Sequence, residues 1–555
     1  MYHPVQIISA RSGVAAIMLI GVCACTTEFA DPSDDHQGVG LDLGGLAEGA
    51  GGRAGPGGGG GRADFNGDGY DDLAIGVPGE GVGSNLPSVG AVNVLYGSAL
   101  GLSATGNQLW HQNSAGILGA AEPGDSFGAS VAAGDFDGDG FADLAIGVPF
   151  ESIGAVADGG AVNVLYGSAK GLTAAGNQIW HQNSAGLIGA AEPSDLFGWA
   201  LTSGDFNKDG YQDLAVGVPG EDVGGVADAG AVNVIYGSAA GLSATSNQIW
   251  HQDVAGVGGV AETGDSFGSA LAAGDFNSDG HVDLAIGVPD EDVALIARAG
   301  MVNVFYGSSV GLSADGDQIW HQNSLGILGA AEPNDNFGRA LAAGDFDNDG
   351  YPDLAIGVPN EGVGLTSEAG ALNVIYGSAV GLSVAADQLW HQDSLGILGV
   401  AEASDHFGRS LAAGDFDDDG RDDLAIGVPG EDLEGTAVEV DAGALNLIYG
   451  SDGGLAAVDN QLWHQNSGGI PGATEGFDAF GSSLTAGDFD ADGRMDLVIG
   501  VPLEDLGPLV NAGAANVLYG AIGGLTAIDS QIWHQDSSGM IGAGEPGDRF
   551  GASVR

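Results

Sequence analysis

Hydrophobic residues along this chain come in short runs of five to eight residues, each bounded by Gly, Pro or Asp. The runs recur in fixed order. In the second unit the order is FGASVAAGDF, an acidic stretch, ADLAIGVP, a variable stretch, GAVNVLYGS, a short turn and NQIWHQ. These β-branched and aromatic runs read as four strands per unit. No stretch after the N-terminal segment carries a convincing helical period. Counted from the first Asp of one acidic stretch to the next, the units are spaced by 71, 70, 70, 70, 70 and 73 residues. Repeated four-stranded units of near-constant length predict an all-β, seven-bladed β-propeller over residues 63–555, in which each small sheet buries its faces against its neighbours around an axis.

The register of the repeat adds two expectations. The first unit opens abruptly at ADFNGDG, without the FGxSLAAG strand of every later unit, and the last residues, DRFGASVR, supply that strand. The strand from Phe550 should therefore pair into the first blade and close the ring, removing exposed sheet edges. Length varies only between the GVP motif and the third strand, where the first unit has one extra residue and the sixth, around Leu433 to Asp441, has three. Strands alternate in direction. The variable loops thus share one face with the connections between units, and the acidic stretches, joining strands one and two, lie on the other. Insertions confined to one face mark the usual place for ligand binding.

Each acidic stretch carries oxygen-bearing side chains at positions 1, 3, 5 and 9 and a glycine at position 6. In the seven units these side chains are Asp64, Asn66, Asp68 and Asp72; Asp135, Asp137, Asp139 and Asp143; Asp205, Asn207, Asp209 and Asp213; Asp275, Asn277, Asp279 and Asp283; Asp345, Asp347, Asp349 and Asp353; Asp415, Asp417, Asp419 and Asp423; and Asp488, Asp490, Asp492 and Asp496. Alternate oxygens followed by a turn let one short loop wrap a hard cation, as calcium prefers. The backbone carbonyl at position 7 adds a further oxygen, from Tyr70, Phe141, Tyr211, His281, Tyr351, Arg421 and Arg494. The set predicts up to seven Ca2+, bound structurally, since four side chains and a carbonyl leave little open coordination and no His or Cys ligand of a hydrolytic zinc site is present. Loops with Asn at position 3 should bind more weakly.

Composition narrows the function classes. The chain has 12 Lys plus Arg against 75 Asp plus Glu, for a formal net charge of -63. Such a surface repels nucleic acid and anionic membranes, so no nucleic-acid partner is expected. Seven Ca2+ would relieve only part of this charge. Both cysteines, Cys23 and Cys25, lie near the N-terminus, so the folded region holds no disulfide. The apolar segment from Gly13 to Ala24 follows Arg11 and is too short for a stable span, which predicts a signal peptide over residues 1–25. VCAC ending at Cys25 resembles a bacterial lipoprotein processing site, which implies lipidation of Cys25, its only membrane attachment, in an exported outer-membrane or cell-surface lipoprotein; the alternative is an ordinary cleaved signal and a secreted protein. Residues 26–62, polar and then glycine-rich, read as a flexible linker.

Two further residue sets invite chemistry. A Trp-His-Gln triplet ends the fourth strand of each unit, at Trp110, Trp180, Trp250, Trp320, Trp390, Trp463 and Trp533. These could be sugar-stacking platforms, but at the rim of separate blades they cannot share a ligand, and packing with a buried polar cap is the favoured reading. Acids also recur as AExxDxFG, as in Glu122 with Asp125 and Glu192 with Asp195, and after GVP, as in Glu221, Asp222, Glu291 and Asp292. Paired carboxylates can hydrolyse glycosides, yet a catalytic pair needs asymmetry and these are alike in every unit. They are expected to be solvated or turn-capping.

FG opening a strand, DxDxDGxxD after it and GVP after the next strand resemble FG-GAP repeats, the units of the integrin alpha-subunit propeller, over roughly residues 63–555. The resemblance implies a seven-bladed propeller with Ca2+ in the loops of its lower face and protein or glycan recognition on the upper. In the second unit it places the ligands at Asp135, Asp137, Asp139, Asp143 and the carbonyl of Phe141, with the same offsets elsewhere. Integrin-style heterodimerisation and signalling are not carried over. The expected function is a monomeric, non-enzymatic binding module for a protein or glycan; a multivalent lectin and a polysaccharide-acting enzyme on the same scaffold are the alternatives.

Overall fold

The structure, a computed structural model, describes residues 62–83, 86–434 and 438–555. The expected signal segment and all but Arg62 of the linker lie outside the described residues. In the second blade Val131–Gly134, Asp143–Val148, Ala161–Tyr166 and Thr173–Trp180 form one antiparallel sheet in sequence order. Sheets of the same order span residues 201–250, 270–320, 341–390, 411–463 and 483–533. In the first blade Leu73–Val77, Ala91–Tyr96 and Ser103–Trp110 are joined by Ser553–Val554, which pairs antiparallel with Leu73–Val77. The chain is thus a seven-bladed β-propeller closed by its last strand. The three-residue insertion of the sixth blade forms a small hairpin, Leu433–Glu434 against Val438–Glu439.

First strands lie innermost, where those of neighbouring blades meet: the Ser203 hydroxyl donates to the Ala133 carbonyl at 2.6 Å. Inner strands such as Asp143–Val148 are buried on both faces, which is why they read as near-continuous apolar runs. The outermost strand, Thr173–Trp180, is only half-buried and carries the polar residues. No blade owns a core. Apolar clusters form between blades, as where Phe65, Val92 and Tyr96 of the first blade meet Phe127, Val131 and Leu144 of the second. Burying each such Phe contributes about 1.5–3 kcal/mol.

The GVP glycine explains how blades approach so closely. A Cβ on Gly147 would lie 2.2 Å from the carbonyl oxygen of Gly198, the glycine of the next blade's FG. The two motifs are therefore one contact, repeated at Gly76 on Gly128 and Gly500 on Gly551.

Candidate metal centres and the polar contacts between blades

All seven acidic loops join strands one and two on the face opposite the variable loops, and they share one internal hydrogen-bond pattern. In the second blade the position-1 carboxylate of Asp135 accepts the Asp139 N–H at 3.1 Å and the Gly140 N–H at 3.0 Å. Asp137 accepts the Asp139 N–H at 3.1 Å, and Asp139 accepts the Phe141 N–H at 3.0 Å. Asn66, Asn207 and Asn277 accept the same position-5 N–H through Oδ1, so the amide preserves the geometry while removing a charge. The position-6 glycine has φ near +90° in every loop, for example 92° at Gly140 and 95° at Gly69. A side chain there would be strained even where space is open.

Position 9 ties the loop to the blade. Asp143 is fully buried and accepts the Phe136 N–H at 2.8 Å and the Gly167 N–H at 2.9 Å, the latter from the turn joining strands three and four. Burial pushes the carboxyls of Asp72, Asp143, Asp213 and Asp283 up to about 8 and that of Asp423 to about 9, and raises Asp353 and Asp496 well above the usual range. Neighbouring loop carboxylates push them in the same direction. A divalent cation would offset both effects.

Among the described residues, carboxylate oxygens of Asp135, Asp137 and Asp143 lie within 4.8 Å of one another, as do those of Asp345, Asp347 and Asp353, of Asp415, Asp417 and Asp423, and of Asp488, Asp490 and Asp492. Oxygens across a calcium ion, each 2.3–2.6 Å from it, are roughly that far apart. The donor set is all oxygen, which suits a hard cation. These four are the loops with Asp at position 3. In three loops a nitrogen-bearing side chain at position 7 reaches the position-5 carboxylate. Arg494 pairs with Asp492 at 2.6 Å, Arg421 with Asp419 at 3.1 Å, and His281 Nδ1 lies 2.9 Å from Asp279. The second and fifth blades alone combine four loop acids with no such partner at position 7, which is Phe141 and Tyr351.

Each loop also touches its neighbour. The N–H at position 8 donates to the position-1 carbonyl of the preceding blade: Ala142 to Asp64, Gln212 to Asp135, Val282 to Asp205, Asp422 to Asp345, Met495 to Asp415 and, across the closure, Asp71 to Asp488. Pro352 has no N–H to give, so the fourth and fifth blades lack this bond.

On the opposite face the Glu after each GVP is not solvated but buried or half-buried at the blade junction, whereas Asp222 and Asp292 beside it are exposed and cap turns as expected, accepting the Asp228 and Arg298 N–H groups at 3.0 and 2.9 Å. Glu151 accepts a hydrogen bond at 2.6 Å from Gln112, the last residue of the preceding blade's Trp-His-Gln triplet. The clasp recurs as Gln182 to Glu221, Gln252 to Glu291, Gln322 to Glu361, Gln392 to Glu431, Gln465 to Glu504 and, across the closure, Gln535 to Glu80. The sequence reading missed it, although Gln two residues after Trp and Glu two after Pro recur in every unit. The Asp of AExxDxFG does cap a turn, Asp125 accepting the Glu122 N–H at 2.5 Å, and it too is buried. The triplet tryptophans pack against the interblade clusters; Trp110 Nε1 lies 3.4 Å from the Gln108 amide oxygen, whose amide nitrogen donates at 2.9 Å to Leu172 of the next blade. Gln112→Ala should cost about 1–3 kcal/mol in urea unfolding, because Glu151 would stay buried without its donor.

Burial raises these upper-face acids as well, Asp125, Asp195, Asp335, Asp405, Asp478 and Asp548 to about 7, and Glu291, Glu431 and Glu504 to about 7. A carboxyl raised on folding keeps its proton longer in the native state, so its contribution is full below the unfolded value and is lost as pH rises to about 7. With calcium saturating, the melting temperature should fall from about pH 5 to about pH 8, and Asp125→Asn with Glu151→Gln should flatten the slope. A melting temperature that rises over this range would contradict the burial of these acids as carboxylic groups.

Among the described residues no helix is long and apolar enough to cross a membrane. The FG-GAP repeat family matches residues 57–95, 127–165, 197–235, 267–305, 337–373, 407–445 and 480–518, one match per blade. The phosphatidylinositol-glycan-specific phospholipase D of Bos taurus is 36% identical over 167 residues, 30% of this chain and 19% of that protein. Integrin alpha-PS2 of Drosophila melanogaster is 31% identical over 239 residues, 41% of this chain and 15% of that protein. Integrin alpha-V of Gallus gallus is 32% identical over 239 residues, 41% of this chain and 20% of that protein. The matched part is thus a fifth or less of each relative's length. With seven matched repeats, one on each blade of a closed propeller, the chain belongs to the FG-GAP repeat proteins and is similar to the integrin alpha chains.

Proposed function

We propose that this chain is an exported, Ca2+-stabilised propeller that binds a protein or glycan at the cell surface through the face opposite its acidic loops, and that it catalyses no reaction. The separation of the two faces carries this reading. Every acidic loop is tied into the blade and to its neighbour, whereas the strand two to three loops vary in length and display Leu295 and Leu365 at 99% and 106% exposure. Calcium is held by the side chains at positions 1, 3, 5 and 9 and the carbonyl at position 7, most tightly in the second and fifth blades. In the others, Asn at position 3 or a guanidinium on the position-5 carboxylate lowers the charge available to the ion. The leader and Cys25 support export and a lipid anchor. The phospholipase relative keeps an enzymatic reading in view, but the acid pairs here are spent on turn caps and interblade clasps.

The test is capture of ligands from cell-surface extract on the calcium-loaded protein. Capture should be lost with Leu295→Asp and Leu365→Asp and survive Leu100→Asp, an exposed change on the acidic-loop face. Capture abolished only by the latter would overturn the assignment of faces.

A further inference from the structure

The blades are not equivalent at their rims. Where the ring closes, a cleft of about 500 Å3 opens between the outer strands of the seventh and first blades, lined by Trp533, Gln531, Ser103, Thr105 and Ser538 among others, none of them charged. This size suits a small ligand. Trp533 donates its indole N–H to Gln531 at 3.0 Å, and Gln531 donates to the Leu102 carbonyl at 3.1 Å, so the ring of Trp533 is what it offers a ligand. Thr105 and Ser538 are exposed on the two walls.

The repeat shows how unusual those walls are. At the other six junctions, in order from the first blade, the residues equivalent to Ser538 and Thr105 are Ala115 with Ala175, Ala185 with Thr245, Ala255 with Asp315, Leu325 with Ala385, Leu395 with Val458, and Gly468 with Ile528. Only the closing junction has a hydroxyl on both walls beside its tryptophan. An apolar ring face flanked by hydroxyls matches a pyranose, which presents C–H bonds on one face and hydroxyls at its edge. The absence of lining charge, on a chain of net charge -63, disfavours an anionic sugar.

We propose that this cleft binds one neutral sugar residue, stacked on Trp533 and hydrogen-bonded to Thr105 and Ser538, across the junction that closes the ring. The proposal rests on the binding-module reading and adds to it a single glycan site per chain at the rim, apart from the upper face. Because the ligand touches both ends of the ring, its binding also stabilises closure.

The calcium-loaded full chain is titrated with methyl glycosides of glucose, galactose, mannose, N-acetylglucosamine and xylose, by calorimetry and saturation-transfer NMR. One glycoside should bind at one per chain and raise the melting temperature. Ser538→Leu and Thr105→Val should each weaken it about tenfold. Leucine stands at the equivalent positions 325 and 395 in the intact fold, so Ser538→Leu is expected to fold, and its melting curve checks this. Ala185→Leu, the same change at another junction, should have no effect. Silence from all five glycosides, binding at several sites per chain, or binding indifferent to both substitutions would overturn the proposal. If upper-face capture persists while the glycosides stay silent, only the rim site falls; a rim sugar with an inert upper face would leave the site standing and remove the broader reading.

Discussion

Stripping calcium with a chelator is expected to lower the melting temperature by about 10 °C, the largest effect of any mild treatment. The size follows from linkage. At free calcium tenfold above Kd each site adds about 1.4 kcal/mol, so seven independent sites add about 10 kcal/mol. Unfolding about 490 residues carries an entropy of roughly 1 kcal/mol per kelvin, so the shift is about one degree per kcal/mol. The structure indicates why removal should matter throughout the ring. Without the ion, position-1, -3 and -9 carboxylates stay within 4.8 Å of one another in three loops, with buried position-9 members, and position-1, -3 and -5 carboxylates do so in the seventh. The position-1 residue also accepts the next blade's N–H, so a loop that splays to relieve repulsion loosens the adjacent blade. Asp143→Ala and Asp353→Ala should reproduce part of the loss, while Asn66→Asp should raise calcium affinity in the first blade. Magnesium should substitute poorly, since it demands shorter, near-octahedral coordination. Melting curves in calcium and in chelator are the measurement.

Deleting Phe550 to Arg555 is expected to destabilise the whole propeller, not the first blade alone. Phe550 is fully buried among Leu73, Ile75 and Val77 of the first blade and Val498 and Val517 of the seventh. Its loss alone costs about 3–5 kcal/mol. The deletion also removes the Arg555 and Ala74 backbone pair, the Gly551 N–H to Gly76 bond, and the hydroxyl of Ser553 that donates to Gly128 at 2.8 Å. Leu73–Val77 then becomes an unpaired edge in a chain whose other blades are complete, which favours association through that edge. A hexapeptide FGASVR added in trans should restore part of the stability. A truncated protein that melts like the intact chain and stays monomeric would show that this strand does not close the ring.

Much of this architecture is legible in the sequence because it is local. Strand boundaries at Gly, Pro and Asp, the seven acidic loops and the displaced FG strand at Phe550 each follow from residue spacing, and the sheets keep that register. The clasps were harder to read because they join residues 39 apart in different blades: Gln112 looks like part of a tryptophan motif, and Glu151 like a surface acid. Their meaning depends on burial, which spacing does not report. The same holds for Asn163, which sits in an apolar strand, is fully buried, and donates at 2.8 Å to the Leu118 carbonyl of the preceding blade. Differences between loops were equally hidden. Asp at position 5 reads alike in every unit, and only the fold shows Arg494 and Arg421 resting on it in the last two blades.

We propose that the acidic loops staple the propeller rather than operate it, and the most direct test is a calcium titration of the chelator-stripped chain, followed by calorimetry and by melting temperature on the same samples. Calcium is expected to bind at up to seven sites, most tightly in the second and fifth blades, with the melting temperature climbing as the sites fill. Calcium that fails to bind, or that binds while the melting temperature stays where the chelator left it, would contradict the stapling role.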